Sequence, residues 1–189
     1  MKLNLPNRLT LARIIITPVF LAVIMWESLE HRFLIADIIF VIASITDAID
    51  GHIARKYNEV TNFGKLLDPI ADKILTTAAL LAFLQLGLCN VWIVMIVLTR
   101  EFAISSIRMI CAANGTVIPA NIFGKIKTAS QMVFTIIIML LCEFESIVEK
   151  TPFTVAQISS CLLWITAVLA VVSGIIYIND SRKCIDYSK

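Results

Sequence analysis

The segment DAIDGHIARKYNEVTNFGKLLDPIAD, residues 47–72, places four aspartates and two glycines at the junction of two very apolar stretches. Read as the end of one helix and the start of the next, it puts Asp47, Asp50, Gly51 and Ala54 at i, i+3, i+4 and i+7, one stripe of the first helix. Gly64, Asp68 and Asp72 fall at i, i+4 and i+8 of the second. Two such stripes facing each other gather four negative charges, which is unfavourable unless cations of similar total charge sit between them. Two divalent metals balance that charge. Carboxylate oxygens select Mg²⁺ or Mn²⁺ over softer metals. Gly51, Ala54 and Gly64 leave room for a bulky ligand beside such metals.

Outward from this segment the chain is strongly apolar. Of 189 residues, 59% are hydrophobic and 16% charged, with mean hydropathy +0.88. An ordinary globular domain has an apolar share of about 45–50%. The composition points to an all-α integral membrane protein and gives no sign of nucleic-acid binding. Six stretches approach the ~20 residues that a bilayer requires: 9–26, 33–53, 66–88, 91–109, 126–142 and 155–178. The third and fifth are the weakest, because their starts carry Asp68, Asp72 and Lys73, and Lys125 and Lys127. The links are short and no low-complexity tract interrupts them, so residues 1–189 read as one domain of six transmembrane helices.

Orientation follows the basic residues. With alternating spans, Lys2, Arg8, Arg13, Arg55, Lys56, Lys65, Arg108, Lys125, Lys127, Arg182, Lys183 and Lys189 all fall on one side. The other side has Arg32 and Lys150 among Glu27, Glu30, Glu143, Glu145 and Glu149. Both termini and the aspartate cluster, at the ends of spans two and three, are therefore expected in the cytoplasm. The basic and apolar N-terminus reads as a retained span, since residues 18–26 offer no small-x-small cleavage site. Cys89, Cys111, Cys142, Cys161 and Cys184 have no metal-site spacing and read as apolar fillers. His31 and His52 receive no metal. Pro69 removes the amide bond that would reach back to Lys65; a local bend that aims Asp68 at the metals and an ordinary membrane-helix proline are equal readings of it.

The pattern D-x2-D-G-x2-A-R-x8-G-x3-D-x3-D, complete here from Asp47 to Asp72 with Arg55 at the arginine position, resembles the signature of the CDP-alcohol phosphatidyltransferases. These integral membrane enzymes move a phosphatidyl group from a CDP-linked lipid to an alcohol. Eight fixed positions in twenty-six residues make a specific signal. The resemblance implies that Asp47, Asp50, Asp68 and Asp72 hold the metals. It also implies that Asp72 is the general base, and that Asp50, Gly51, Ala54, Arg55 and Gly64 line the site of the CDP-lipid. Arg55 suits the diphosphate, for which its planar fork of donors is fitted.

Three flanking segments, NLPNRLTLARI at 4–14, TREFAISSIR at 99–108 and GKIKTASQM at 124–132, are similar to those of the bacterial phosphatidylglycerophosphate synthase branch. The implied substrates are CDP-diacylglycerol and sn-glycerol 3-phosphate, in a homodimer among the lipids of the bacterial cytoplasmic membrane. A phosphorylated acceptor needs cationic partners, and Arg108, Lys125 and Lys127 are the candidates, with Arg108 and Lys125 preferred. Topology signals would account for the same three residues. Inositol phosphate is the alternative acceptor. Arg100 and Glu101 place opposite charges inside a span, a costly arrangement. They point about 100° apart and so are expected to bond to other groups as well as to each other. Asn7, Thr10 and Arg13 are further candidates for nucleotide contact. A divalent-cation transporter would use similar ligands, but Asp37 is the sole acidic residue within a span toward the other side, so a second acidic layer is missing.

Overall fold

The computed structural model describes the backbone of residues 5–57, 62–113, 122–145 and 152–181, and the side chains of these except 5–9, 47–57, 62–70, 72 and 113. Among the described residues there are six helices: α1 (Leu5–Met25), α2 (Arg32–Tyr57), α3 (Asn62–Gln85), α4 (Val91–Ala113), α5 (Ile122–Glu143) and α6 (Val155–Ser181). Each expected span maps onto one helix, except that Trp26 and residues 86–88 lie beyond the ends of α1 and α3, and α3 runs through Pro69. α5 and α6 are long and apolar enough to cross a membrane, and Thr10–Met25 and Lys73–Gln85 are shorter apolar runs.

Local sequence sets the ends of several helices. Asn90 caps α4: its Oδ1 accepts the Trp92 N–H at 3.0 Å and its carbonyl accepts from Ile93 at 3.0 Å. Thr154 and Gln157 form a reciprocal capping box at the start of α6, with bonds of 3.0 and 3.3 Å. At the end of α3, Gly87 adopts φ 73°, Leu88 N–H bonds the Phe83 carbonyl and Gly87 N–H bonds Leu84. This is the double bond of a Schellman stop, which requires a residue tolerant of positive φ. The start of α2 is capped from another helix. Glu143 on α5 accepts the Leu34 N–H at 3.3 Å through Oε2 and bonds His31 Nδ1 at 2.5 Å through Oε1.

The helices form two triads. α1 packs against both α2 and α3, and α6 packs against both α4 and α5. The α2–α5 and α3–α4 contacts join the triads, closing a ring in the order α1, α2, α5, α6, α4, α3. Between helices the core is apolar. Phe20 on α1 meets Phe40 on α2 with centroids 5.9 Å apart, and buried Ala78, Ala79 and Ala82 give α3 a small-residue face that permits close helix packing.

The outer surface is also apolar, as Ile35, Ile38, Ile42 and Ile45 on α2 and Val168, Val171, Val172 and Ile175 on α6 are exposed. Several polar side chains are turned inward instead: Thr10, Arg13, Thr17, Lys127, Gln131, Thr135 and Ser173 are buried. An apolar exterior around polar interior groups matches a lipid environment and not water.

Candidate active site

The backbone places Asp47, Asp50, Gly51, Ala54 and Arg55 in the last three turns of α2, and Gly64, Asp68 and Asp72 in the first three turns of α3. Both segments are helical throughout, so the i, i+3, i+4, i+7 and i, i+4, i+8 spacings apply on real helices. Both helices pack on α1. The side chains of these eight residues lie outside the described residues. Among the described residues no group of three metal-ligating side chains occurs.

Immediately after Asp72, the described side chains form a charged cluster that joins the triads. Lys73 on α3 donates from Nζ to the Glu101 carbonyl at 2.8 Å and to Ser105 Oγ, and lies 3.7 Å from Glu101 Oε2. Glu101 Oε1 accepts from Lys127 Nζ on α5 at 2.5 Å and from Arg100 Nη1 at 3.1 Å. Lys127, 1% exposed, donates also to Gln131 Oε1 at 2.6 Å. Arg100 reaches α6, where Nε and Nη2 donate to Ser173 Oγ at 3.2 and 3.0 Å. Glu101 thus answers cations from three helices. As the sequence implies, Arg100 and Glu101 bond to each other and to separate partners.

This cluster explains how the third and fifth apolar stretches tolerate their charges. Lys73 is held by acceptors on α4, and Lys127 lies on the inward stripe Lys127, Gln131, Thr135, Ile138 of α5, all buried. Lys125, two residues earlier and about 200° around the helix, is exposed. Arg108 is exposed near the end of α4, its guanidinium 5.9 Å from the Tyr177 ring centroid on α6. Arg108 and Lys125 therefore stand on separate helices that both pack against α6. On α1, Thr10 and Arg13 are buried, and Thr17 donates to the Arg13 carbonyl at 2.9 Å. Asn7 lies where side chains are not described. Arg13 is consequently an interior group and not a surface anchor.

Beside the cluster an open apolar groove of about 420 Å³ lies between α4 and α6, its lining including Trp92, Met95 and Ile175, with Arg100 as its charged member. Gly174 forms part of its wall, and a Cβ there would sit 3.4 Å from Arg100 Cγ. His31, given no role by the sequence, closes the opposite end of the bundle. Its hydrogen bond to Glu143, reinforced by that carboxylate's charge, raises its pKa above the ordinary 6.5. Cys89, Cys111, Cys142 and Cys161 are free thiols.

Residues 3–172 match the CDP-alcohol phosphatidyltransferase family. The chain belongs to that family. It is 39% identical to the CDP-diacylglycerol–glycerol-3-phosphate 3-phosphatidyltransferase of Bacillus subtilis, with 98% of each chain covered. It is 38% identical to the protein of the same name from Rickettsia bellii, covering 95% of this chain and 96% of the relative. A probable phosphatidylglycerophosphate synthase of Mycobacterium tuberculosis is 42% identical over 132 residues, 69% of this chain and 63% of the relative. As a member of the family, the chain is an enzyme of phospholipid synthesis.

Proposed function

We propose that this enzyme transfers the phosphatidyl group of CDP-diacylglycerol to sn-glycerol 3-phosphate, yielding phosphatidylglycerol phosphate and CMP. The observation that carries the reading is the complete eight-position motif on the adjoining ends of α2 and α3, in a chain whose near-full-length relatives bear that activity in their names.

The donor set of four carboxylates fits two Mg²⁺ or Mn²⁺ ions, with Asp47, Asp50, Asp68 and Asp72 as their holders. When bound, such ions offset the diphosphate charge and stabilise the leaving CMP oxygen. Asp72 takes the proton from the acceptor hydroxyl as its oxygen attacks the lipid-proximal phosphorus. The bond from that phosphorus to the CMP oxygen breaks, and CMP leaves with the bonding electrons. Arg55 binds the diphosphate in this account, while Gly51, Ala54 and Gly64 make room for the nucleotide. Arg108 and Lys125 attract the acceptor phosphate.

The same reading gives six membrane-crossing helices with both termini and the site on the cytoplasmic face, in a multi-pass protein of the bacterial cytoplasmic membrane that works as a homodimer. Apolar exteriors on helices of both triads support the spans, and the one-sided distribution of Lys and Arg supports the orientation. The test is an acceptor screen on purified protein with CDP-diacylglycerol and Mg²⁺ or Mn²⁺, read as CMP release. Glycerol 3-phosphate should exceed glycerol and inositol phosphate as acceptor; a preference for either of the others would overturn the assignment.

A further inference from the structure

We infer that Glu101 is a positioning residue for phosphatidyl transfer, gripping Lys73 on α3 and Lys127 on α5 so that the aspartate-bearing triad and the acceptor-side triad meet in a fixed register. The inference rests on the proposed transfer reaction.

Among the described residues the α3–α4 seam is the least extensively packed of the six neighbouring helix pairs, and α4 and α5 have no substantial direct packing. At this thin seam Lys73, Glu101 and Ser105 join α3 to α4, and Glu101 with Lys127 joins α4 to α5. Bracing alone does not require charge. The α1–α2 interface is made from groups such as Phe20 and Phe40, and desolvating ions is costly where lipid surrounds the helices.

The location of the cluster gives the charge a purpose. Lys73 directly follows Asp72, and each residue turns a helix by about 100°. Clamping Lys73 from α4 therefore fixes the rotation of the α3 turn that carries Asp68 and Asp72. Lys127 lies in the segment that supplies the acceptor-side cations, two residues after Lys125. Glu101 thus meets both reactant sides, holding Lys127 through its carboxylate at 2.5 Å and Lys73 through its backbone carbonyl at 2.8 Å and a longer ion pair of 3.7 Å. Displacement of about 1 Å away from a reactive arrangement costs roughly a hundredfold in rate, so a small slip at this seam would slow chemistry while each substrate still bound.

The experiment compares wild type with Glu101→Gln, Glu101→Asp and the double variant Glu101→Gln/Lys127→Gln, as full-length protein in detergent micelles containing CDP-diacylglycerol. The readouts are kcat, KM for donor and acceptor, and Tm. Glu101→Gln should lower kcat by roughly ten- to a hundredfold with both KM values within about threefold of wild type, a split that follows from misalignment of bound reactants. Glu101→Asp, which keeps the charge on a shorter arm, should recover part of that loss. The double variant removes the buried Lys127 charge together with that of Glu101, while Lys73 keeps Ser105 and Arg100 keeps Ser173; it should recover most of the Tm lost in Glu101→Gln, yet keep the low kcat.

Recovery of kcat together with Tm in the double variant would reduce the cluster to a brace and overturn the inference. A normal kcat in Glu101→Gln, or a rise confined to the acceptor KM, would do the same. If Glu101→Gln cannot be purified, the double variant and Glu101→Asp decide on the same criteria. Failure of wild type to use glycerol 3-phosphate would instead remove the proposed acceptor, and the variants would then be read with whichever acceptor releases CMP.

Discussion

The two seams that join the triads are made in different ways. At α3–α4, next to the aspartates, the ion pairs are sheltered: Lys127 is 1% exposed, and the side chains of Arg100, Glu101 and Lys73 are 13%, 21% and 22% exposed. At α2–α5, a polar link is His31 with Glu143 at the far end, where the His31 side chain is 62% exposed and that of Glu143 8%. At the first seam both signs of charge are sheltered, whereas at the second a sheltered carboxylate is answered by a histidine open to solvent. The comparison teaches that a network of several sheltered ions stands beside the reactive segment, while the far seam uses one sheltered carboxylate to cap a helix.

A substitution among the aspartates should show the largest effect. Asp68→Asn removes one charge from the proposed metal ligands and leaves the apolar packing intact, so CMP release should fall below detection while Tm in detergent stays near wild type. Excess chelator should silence the wild-type protein as well. Full activity in chelator would move the chemistry away from the α2–α3 junction. Next in size is Asp72→Asn. Loss of a general base costs about 10²–10⁴-fold in kcat, with the CDP-lipid KM little changed, and near-normal turnover would assign the proton transfer to another group.

Lys125 and Lys127 provide an internal contrast on one helix. Lys125→Ala, at an exposed position, should leave Tm unchanged and lower kcat/KM for glycerol 3-phosphate by roughly tenfold or more, the worth of a charge-assisted bond to phosphate. Lys127→Ala leaves Glu101 short of its closest partner and should destabilise the fold by about 3 kcal/mol. Equal Tm values for the two variants would contradict the difference in burial.

The smallest effect belongs to the far seam. The pKa of His31 is raised by Glu143, so the protonated pair adds stability in full below pH 6.5, and that contribution is lost as pH rises through the elevated folded value. His31 has φ 57°, a conformation that asparagine tolerates. Thermal melts of wild type and His31→Asn should therefore differ more at pH 5.5 than at pH 8.5, with turnover unaffected. A gap that widened toward high pH would refute the assignment of the cap.

Hydrophobicity made the six helices legible because each apolar run maps onto a single helix. It also truncated them at one end. α1 begins at Leu5 where the apolar run begins at 9, α2 ends at Tyr57 and not at 53, and α3 begins at Asn62 and not at 66. α4, α5 and α6 extend past their runs at the same end of the bundle. That is the end where basic and acidic residues enter the helices, so polarity hides helix that continues past the apolar run.

The aspartate motif was legible because its ligands are near neighbours in sequence. The clamp was not: Lys73, Glu101, Lys127 and Ser173 come from four helices, and periodicity can place a residue on a face without naming its partner across the bundle. The stripe Lys127, Gln131, Thr135, Ile138 did carry a usable signal, since a lysine in line with buried positions reads as inward. His31 and Glu143, 112 residues apart, left no comparable trace.

The central claim is transfer to a phosphorylated acceptor at a divalent-metal site. The most direct measurement is CMP release by purified protein from CDP-diacylglycerol with glycerol 3-phosphate or glycerol, each with Mg²⁺ and with excess chelator. The account predicts rapid release with glycerol 3-phosphate and Mg²⁺, at least tenfold slower release with glycerol, and none in chelator. Equal rates with the two acceptors, or turnover that persists in chelator, would contradict it.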